Sequence, residues 1–129
     1  MDVSQALADL TELSSQIDAA VILDAEGALL GSTSEADRAD DLVRAANELL
    51  DAASELRSSP EAVTRVEVEL AQGAVFVLRE GGRTIAARTG PQPTAGLVAY
   101  DLRTCLQALE PQRPKRRAAT RKPKDEPDT

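Results

Sequence analysis

Apolar and polar positions recur along this chain with two different periods, and the switches between them divide it into eight elements. Val3, Leu7, Leu10, Leu13 and Ile17 follow one another at three- and four-residue spacing, with Asp9, Glu12 and Gln16 between them. That spacing predicts an amphipathic helix over 3–16. Two short apolar runs, 19–23 and 28–30, the second opening a strand over 28–33, then flank Asp24-Ala-Glu-Gly27. Strand-forming residues on both sides of a turn ending in Gly predict a hairpin, and the unbroken apolar character predicts strands buried on both faces.

From Glu35 to about Ser58 the helical period returns. Ala39, Leu42, Val43, Ala46, Leu49, Leu50, Ala53 and Leu56 form one wide apolar stripe. Ser32 and Ser34 are both candidate N-caps, and Ser32 with Glu35 has the spacing of a capping box. Glu35, Asp37, Asp40 and Asp41 crowd the first turns, where the helix dipole favours negative charge. Arg44 is spaced to pair with Asp40 and Glu48, and Pro60 closes the element.

Residues 63–70 alternate instead. Val66, Val68 and Leu70 point one way and Arg65, Glu67 and Glu69 the other, the pattern of a half-exposed strand. Gln72-Gly73 turns into a strand over 74–79, and Glu80-Gly81-Gly82 turns into another over 83–89, so the three strands form an antiparallel meander. Gly90-Pro91-Gln92-Pro93 is a rigid connector. Thr94 can cap a last helix over 95–109, with Val98, Leu102, Cys105, Leu106 and Leu109 on its apolar side. The order α-β-β-α-β-β-β-α predicts an α+β fold: a five-stranded antiparallel sheet with helices on its faces.

Composition divides the chain once more. Residues 1–110 carry 19 acidic and 8 basic groups, whereas 111–129 carry 3 acidic and 7 basic ones. The organisation expected is one domain over 1–110 and a disordered, basic, Pro-rich tail over 111–129. An acidic domain repels nucleic acid. Only Arg113, Lys115, Arg116, Arg117, Arg121, Lys122 and Lys124 of the tail are suited to a nucleic acid or an anionic membrane. Without an aromatic residue for stacking, such binding rests on charge and falls steeply with salt. With one Phe, one Tyr and no Trp in 129 residues, the core relies on many small contacts, which favours extra burial through self-association.

Little in the chain supports catalysis. It has no His, removing the commonest general base and the commonest nitrogen ligand for metals. Cys105 is the single Cys and lies on an apolar helix side, where a packed, inert thiol is expected. Gly81-Gly82 and Gly90-Pro-Gln-Pro93 are not followed by Gly-Lys-Ser/Thr, so no phosphate-binding loop is present. The carboxylates around Glu35 cannot surround a cation, which needs about six to eight oxygens in the case of calcium. We therefore expect no enzyme activity, no cofactor and no metal. The N-terminal residues lack a basic and apolar leader pattern, and the longest apolar runs are about five residues against the ~20 that span a bilayer. The expected location is the cytoplasm.

Four pieces of the sequence resemble the roadblock family (roadblock/dynein light chain, with bacterial MglB-like members). They are Ala19-Ala-Val-Ile-Leu-Asp-Ala-Glu-Gly27 continuing to Leu29-Leu30, the long central helix, Gly73-Ala-Val-Phe-Val-Leu78 with Gly81-Gly82 and Thr84-Ile-Ala-Ala87, and Gly96-Leu-Val-Ala-Tyr-Asp-Leu102. The likeness covers about 3–109, and a longin- or profilin-like module shares much of the same order. It implies a domain that dimerises with itself or a paralogue, pairing its third strand edge to edge while the central helices lie antiparallel. It further implies regulation or scaffolding of a small Ras-like GTPase by protein–protein contact.

On that implication the interface would use Ala39, Leu42, Ala46, Leu50 and Ala53 of the helix. From the strand it would take Val63, Arg65, Glu67 and Glu69. The same helix stripe can equally cover the chain's own sheet, and the strand charges can equally form a solvated face. The alternative function is a structural adaptor dimer whose basic tail tethers it to nucleic acid or an anionic surface. A small-molecule sensor would need a cluster of polar groups, and none stands out.

Overall fold

Three helices and five strands follow one another in the expected order: α1 (Val3–Leu13), β1 (Ile17–Leu23), β2 (Leu29–Ser32), α2 (Ala36–Ser54), β3 (Arg65–Leu70), β4 (Gly73–Glu80), β5 (Arg83–Thr89) and α3 (Ala95–Ala108). The structure is a computed structural model and describes residues 1–56 and 64–109. All strand pairings are antiparallel, in the order β2-β1-β5-β4-β3. β2 and β3 are therefore the two margins of the sheet.

Strand alternation sends neighbouring residues to opposite faces, and each face carries its own core. Ala20, Ile22, Phe76, Leu78, Ile85 and Ala87 pack with Leu7 and Leu10 of α1 and Val98, Leu102 and Leu106 of α3. Val21, Leu23, Val75, Val77 and Ala86 pack with Ala39, Leu42, Ala46 and Leu50 of α2. One helix thus covers the face that on the other side is shared by two.

Several local expectations are corrected. α1 stops at Leu13, where Ser14 turns extended and donates its N–H to Leu10 O at 2.9 Å. Ile17 begins β1 instead; it fits the helical spacing because α1 and β1 bury their apolar residues in the same core. α1 is capped by Asp2, whose carboxylate accepts from the Gln5 N–H at 2.8 Å. β2 is not buried on both faces: it is a short margin strand with Leu29 and Leu30 exposed. An apolar run cannot say whether a neighbour will cover it.

The capping box does not form. Ser32 belongs to β2, its hydroxyl accepts from the Ser34 N–H at 2.9 Å, and Glu35 takes the N-cap position of α2 without a side-chain bond. Thr94 also occupies its N-cap position without a side-chain bond, but its own N–H donates to Gln16 Oε1 at 2.6 Å, tying the start of α3 to the turn between α1 and β1. Arg44 pairs with Asp41 at 3.5 Å rather than with Asp40 or Glu48. Pro60 lies outside the described residues. The β4–β5 turn holds Gly81 and Gly82 at φ of 64° and 80°, the left-handed pair that a two-residue hairpin turn needs.

A candidate protein-interaction face

β3 is hydrogen-bonded to β4 on one side, with Arg65 opposite Leu78, Val66 opposite Val77 and Glu67 opposite Phe76. Just before the strand, the Arg79 N–H donates to Thr64 O at 2.9 Å. Ladder bonds of an antiparallel pair fall on alternate residues. Thr64, Val66, Val68 and Leu70 therefore direct their backbone groups at β4. Arg65, Glu67 and Glu69 direct theirs outward, and among the described residues no strand pairs with their N–H and C=O groups.

The side chains divide along the same alternation. Glu67 shares a face with Phe76, hence with α1 and α3, and Arg65, Glu67 and Glu69 are all exposed on that side. Arg65 makes an ion pair with Glu67. Val66 and Val68 lie on the α2 side and are half-buried, while Leu70 remains 52% exposed.

α2 supplies the neighbouring surface, turned by a definite amount. Four of its five anticipated contact residues, Ala39, Leu42, Ala46 and Leu50, are buried on the chain's own sheet. The small residues at seven-residue spacing do allow close approach, but the approach is to Val21, Val77 and Ala86 below. Ala53 is half-buried and packs in the same cluster as Val66. Asn47 Nδ2 donates to Gly27 O at 3.3 Å, which turns that flank of α2 toward the β1–β2 turn. Gly27 (φ 86°) can lie so close only because it has no Cβ; one placed there would stand 2.7 Å from Asn47 Oδ1.

At about 100° per residue, the flank opposite Asn47 carries Ala45, Leu49 and Ala52, and Leu56 follows in the turn just past the helix end. Leu49 packs in the cluster that includes Val66, and Leu56 is 82% exposed. An apolar strip therefore runs from this flank of α2 across Val66 and Val68 to Leu70. Eight apolar positions are more than one sheet face buries in full: Val43, Leu49 and Ala53 pack only partly against the cluster, and Leu56 is the one left exposed. Val63 lies outside the described residues, as do Arg113, Lys115, Arg116, Arg117, Arg121, Lys122 and Lys124.

An open cleft of about 700 Å³ lies where the β1–β2 turn, the second half of α2 and the β4–β5 turn meet; Asp24, Glu26, Asp51 and Glu80 are among its lining residues. Among the described residues no group of three or more His, Cys, Asp or Glu is placed to hold a metal ion, and no helix is long and apolar enough to cross a membrane.

Cys105 is buried between α1 and α3, its Sγ 3.5 Å from Ala6 O. Burial pushes its thiol from the ordinary 9.0 up to about 11, and the Asp9 carboxylate acts in the same direction. The folded chain holds this proton more tightly than the unfolded one. The resulting stabilisation is complete below about pH 9 and lost as pH rises toward about 11. Denaturant midpoints measured across that window should fall more steeply for the wild type than for Cys105→Ala.

The model of the Roadblock/LC7 domain family matches residues 4–87. A Roadblock/LC7 domain from Streptomyces avermitilis superposes with a TM-score of 0.71 at 21% identity, over 84% of this chain and 94% of that one. MglB from Myxococcus xanthus superposes with a TM-score of 0.62 at 12% identity, over 81% and 89%. LokiProfilin2, from its complex with rabbit actin, gives 0.58 at 15% identity, over 81% and 92%. At these identities the likeness to solved structures is one of fold. No curated protein matches the sequence.

Proposed function

The chain belongs to the Roadblock/LC7 domain family, and from that membership we propose that it is a cytoplasmic dimer which regulates or scaffolds a small Ras-like GTPase by protein–protein contact. One observation carries the reading. The β3 margin leaves the backbone groups of Arg65, Glu67 and Glu69 unpaired by the ladder to β4, beside an apolar strip that the chain's own helices leave open. Unpaired strand margins template pairing, and a second copy related by a two-fold axis completes both the sheet and the strip.

In this arrangement two α2 helices lie flank to flank over a continuous sheet and form a platform. The outer face of each α2 carries Asp37, Asp40, Asp41, Glu48, Asp51 and Glu55 against Arg38 and Arg44. That excess of negative charge suits a basic patch on a partner and would act mainly on encounter rate and orientation. The nucleotide site belongs to the partner, and the platform acts by holding the partner's mobile loops in one arrangement.

Two measurements test this. The purified chain should have the mass of two copies in solution. Leu49→Lys, which places a charge in the strip without entering the sheet core, should shift it to one copy while leaving its circular dichroism unchanged. Candidate GTPases from the same cell, loaded with GDP or a non-hydrolysable GTP analogue, should then bind the wild type in one nucleotide state and bind Leu49→Lys at least about tenfold more weakly. Binding blind to nucleotide, or no binding, overturns the regulator in favour of an adaptor.

A further inference from the structure

We propose that two copies pair their β3 strands in one register, centred on Glu67, and that Arg65 selects it by facing Glu69 of the second copy. The inference rests on the dimer reading above and adds what that reading leaves open.

A two-fold axis perpendicular to the sheet keeps the α2 face of one copy on the same side as that of the other. Only residues of the same face can then stand opposite one another, so odd-numbered residues of β3 meet odd-numbered ones. With β3 spanning Arg65–Leu70, three registers keep most of the strand overlapped, centred on Val66, Glu67 or Val68.

Charge and backbone pairing separate them. Centring on Val68 sets Glu67 against Glu69 twice and leaves Arg65 opposite Ala71, and like charges directly opposed are unfavourable. Centring on Val66 gives attractive Arg65–Glu67 pairs but sets Glu69 opposite position 63, outside the described residues, so only Arg65 and Glu67 close hydrogen-bonded pairs within the described strand. Centring on Glu67 engages all three. Arg65 meets Glu69 in both directions, Val66 meets Val68, and Glu67 meets its own counterpart, one like-charge contact set against two attractive pairs. Each Glu67 is already ion-paired with Arg65 of its own chain, so Arg65 stands between two carboxylates, one from each copy.

Cysteine cross-linking reads the register directly. In an antiparallel ladder the residue on the axis faces itself at a Cα separation of ~5.5 Å in a hydrogen-bonded pair, well suited to a disulfide. Residues one step away face their counterparts at roughly 8 Å, which a disulfide does not span. In the full chain under mild oxidation, Glu67→Cys should become a covalent dimer, whereas Val66→Cys and Val68→Cys should not. The native Cys105 is buried and serves as its own control.

A charge exchange gives the second arm. Arg65→Glu should weaken the dimer about tenfold or more, and Arg65→Glu with Glu69→Arg should restore it to within about threefold. Dominant cross-linking at position 66 or 68, or rescue by Glu67→Arg in place of Glu69→Arg, overturns the register while leaving the dimer standing. A single-chain mass for the wild type overturns the dimer itself. A two-chain mass with no cross-link at any of the three positions shows that the copies meet elsewhere, and overturns the β3 pairing together with its register while the dimer stands.

Discussion

Replacing Phe76 by Ala should cost about 3–5 kcal/mol of folding stability, the upper range for a single truncation. Phe76 is the only Phe in the chain and is 2% exposed in the middle of β4. It lies in the core between the sheet and the two-helix layer, with Val98 and Leu102 of α3 in the same cluster. The sheet positions sharing that core include Ala20, Ala74 and Ala87. Alanine side chains have no rotamer with which to fill a void, so the space left behind should stay largely empty. Domains of this size are stable by only about 5–15 kcal/mol, so a large part of the total goes with one ring. Tyr100, 65% exposed on α3, provides the control: Tyr100→Ala should stay within about 0.5 kcal/mol. Urea unfolding decides it, as a lower midpoint at unchanged slope for Phe76→Ala. A shift below about 1 kcal/mol would mean that the many small contacts, not the one aromatic, hold this layer together.

The same residues show which parts of the fold were readable from the chain. The changes of period after Ile17, at Glu35 and near Arg65, together with the Gly turns at 24–27, 72–73 and 80–82 and the connector at 90–93, located the elements, because an element must bury one face and its spacing reveals which residues do so. Element ends were harder. Ser32 and Glu35 have the spacing of a capping box, yet Ser32 is held in β2 beside β1, and tertiary pairing overrides a local cap. The burial of β2 was misjudged because Leu29 and Leu30 read like the core run of β1; only strand order, a non-local property, distinguishes centre from margin.

The interaction face was half legible. Arg65, Glu67 and Glu69 alternate visibly and do lie on a free margin. Which flank of α2 joins them depends on how far the helix is rolled. That roll goes with the packing of Ala39, Leu42, Ala46 and Leu50 on the sheet and with Asn47 reaching Gly27, twenty residues away in the chain. A stripe in a sequence reports that a helix has a buried side; it does not report the roll that leaves Leu49 and Leu56 at its border rather than Leu42 and Ala46.

Two proline substitutions one residue apart should have opposite consequences. Proline removes a backbone N–H, so in a strand it is tolerated only where that N–H faces away from the ladder. The Glu67 N–H faces the free margin, whereas the Val66 N–H faces Val77 of β4. Glu67→Pro should therefore leave the single chain folded, with its circular dichroism near that of the wild type, and abolish pairing between copies. In a symmetric pair centred on Glu67 one substitution removes two hydrogen bonds, each worth about 0.5–1.5 kcal/mol, and also sets two rings against each other across the axis. Together these should weaken association at least about a hundredfold. Val66→Pro should act on the chain itself, breaking the β3–β4 ladder and the packing of Val66 beneath α2, and lower the unfolding midpoint. Sedimentation at several concentrations, run beside urea unfolding, separates the two. If Glu67→Pro still sediments as two chains, the β3 margin does not join the copies. If Glu67→Pro unfolds as readily as Val66→Pro, the outward direction assigned to its N–H is mistaken.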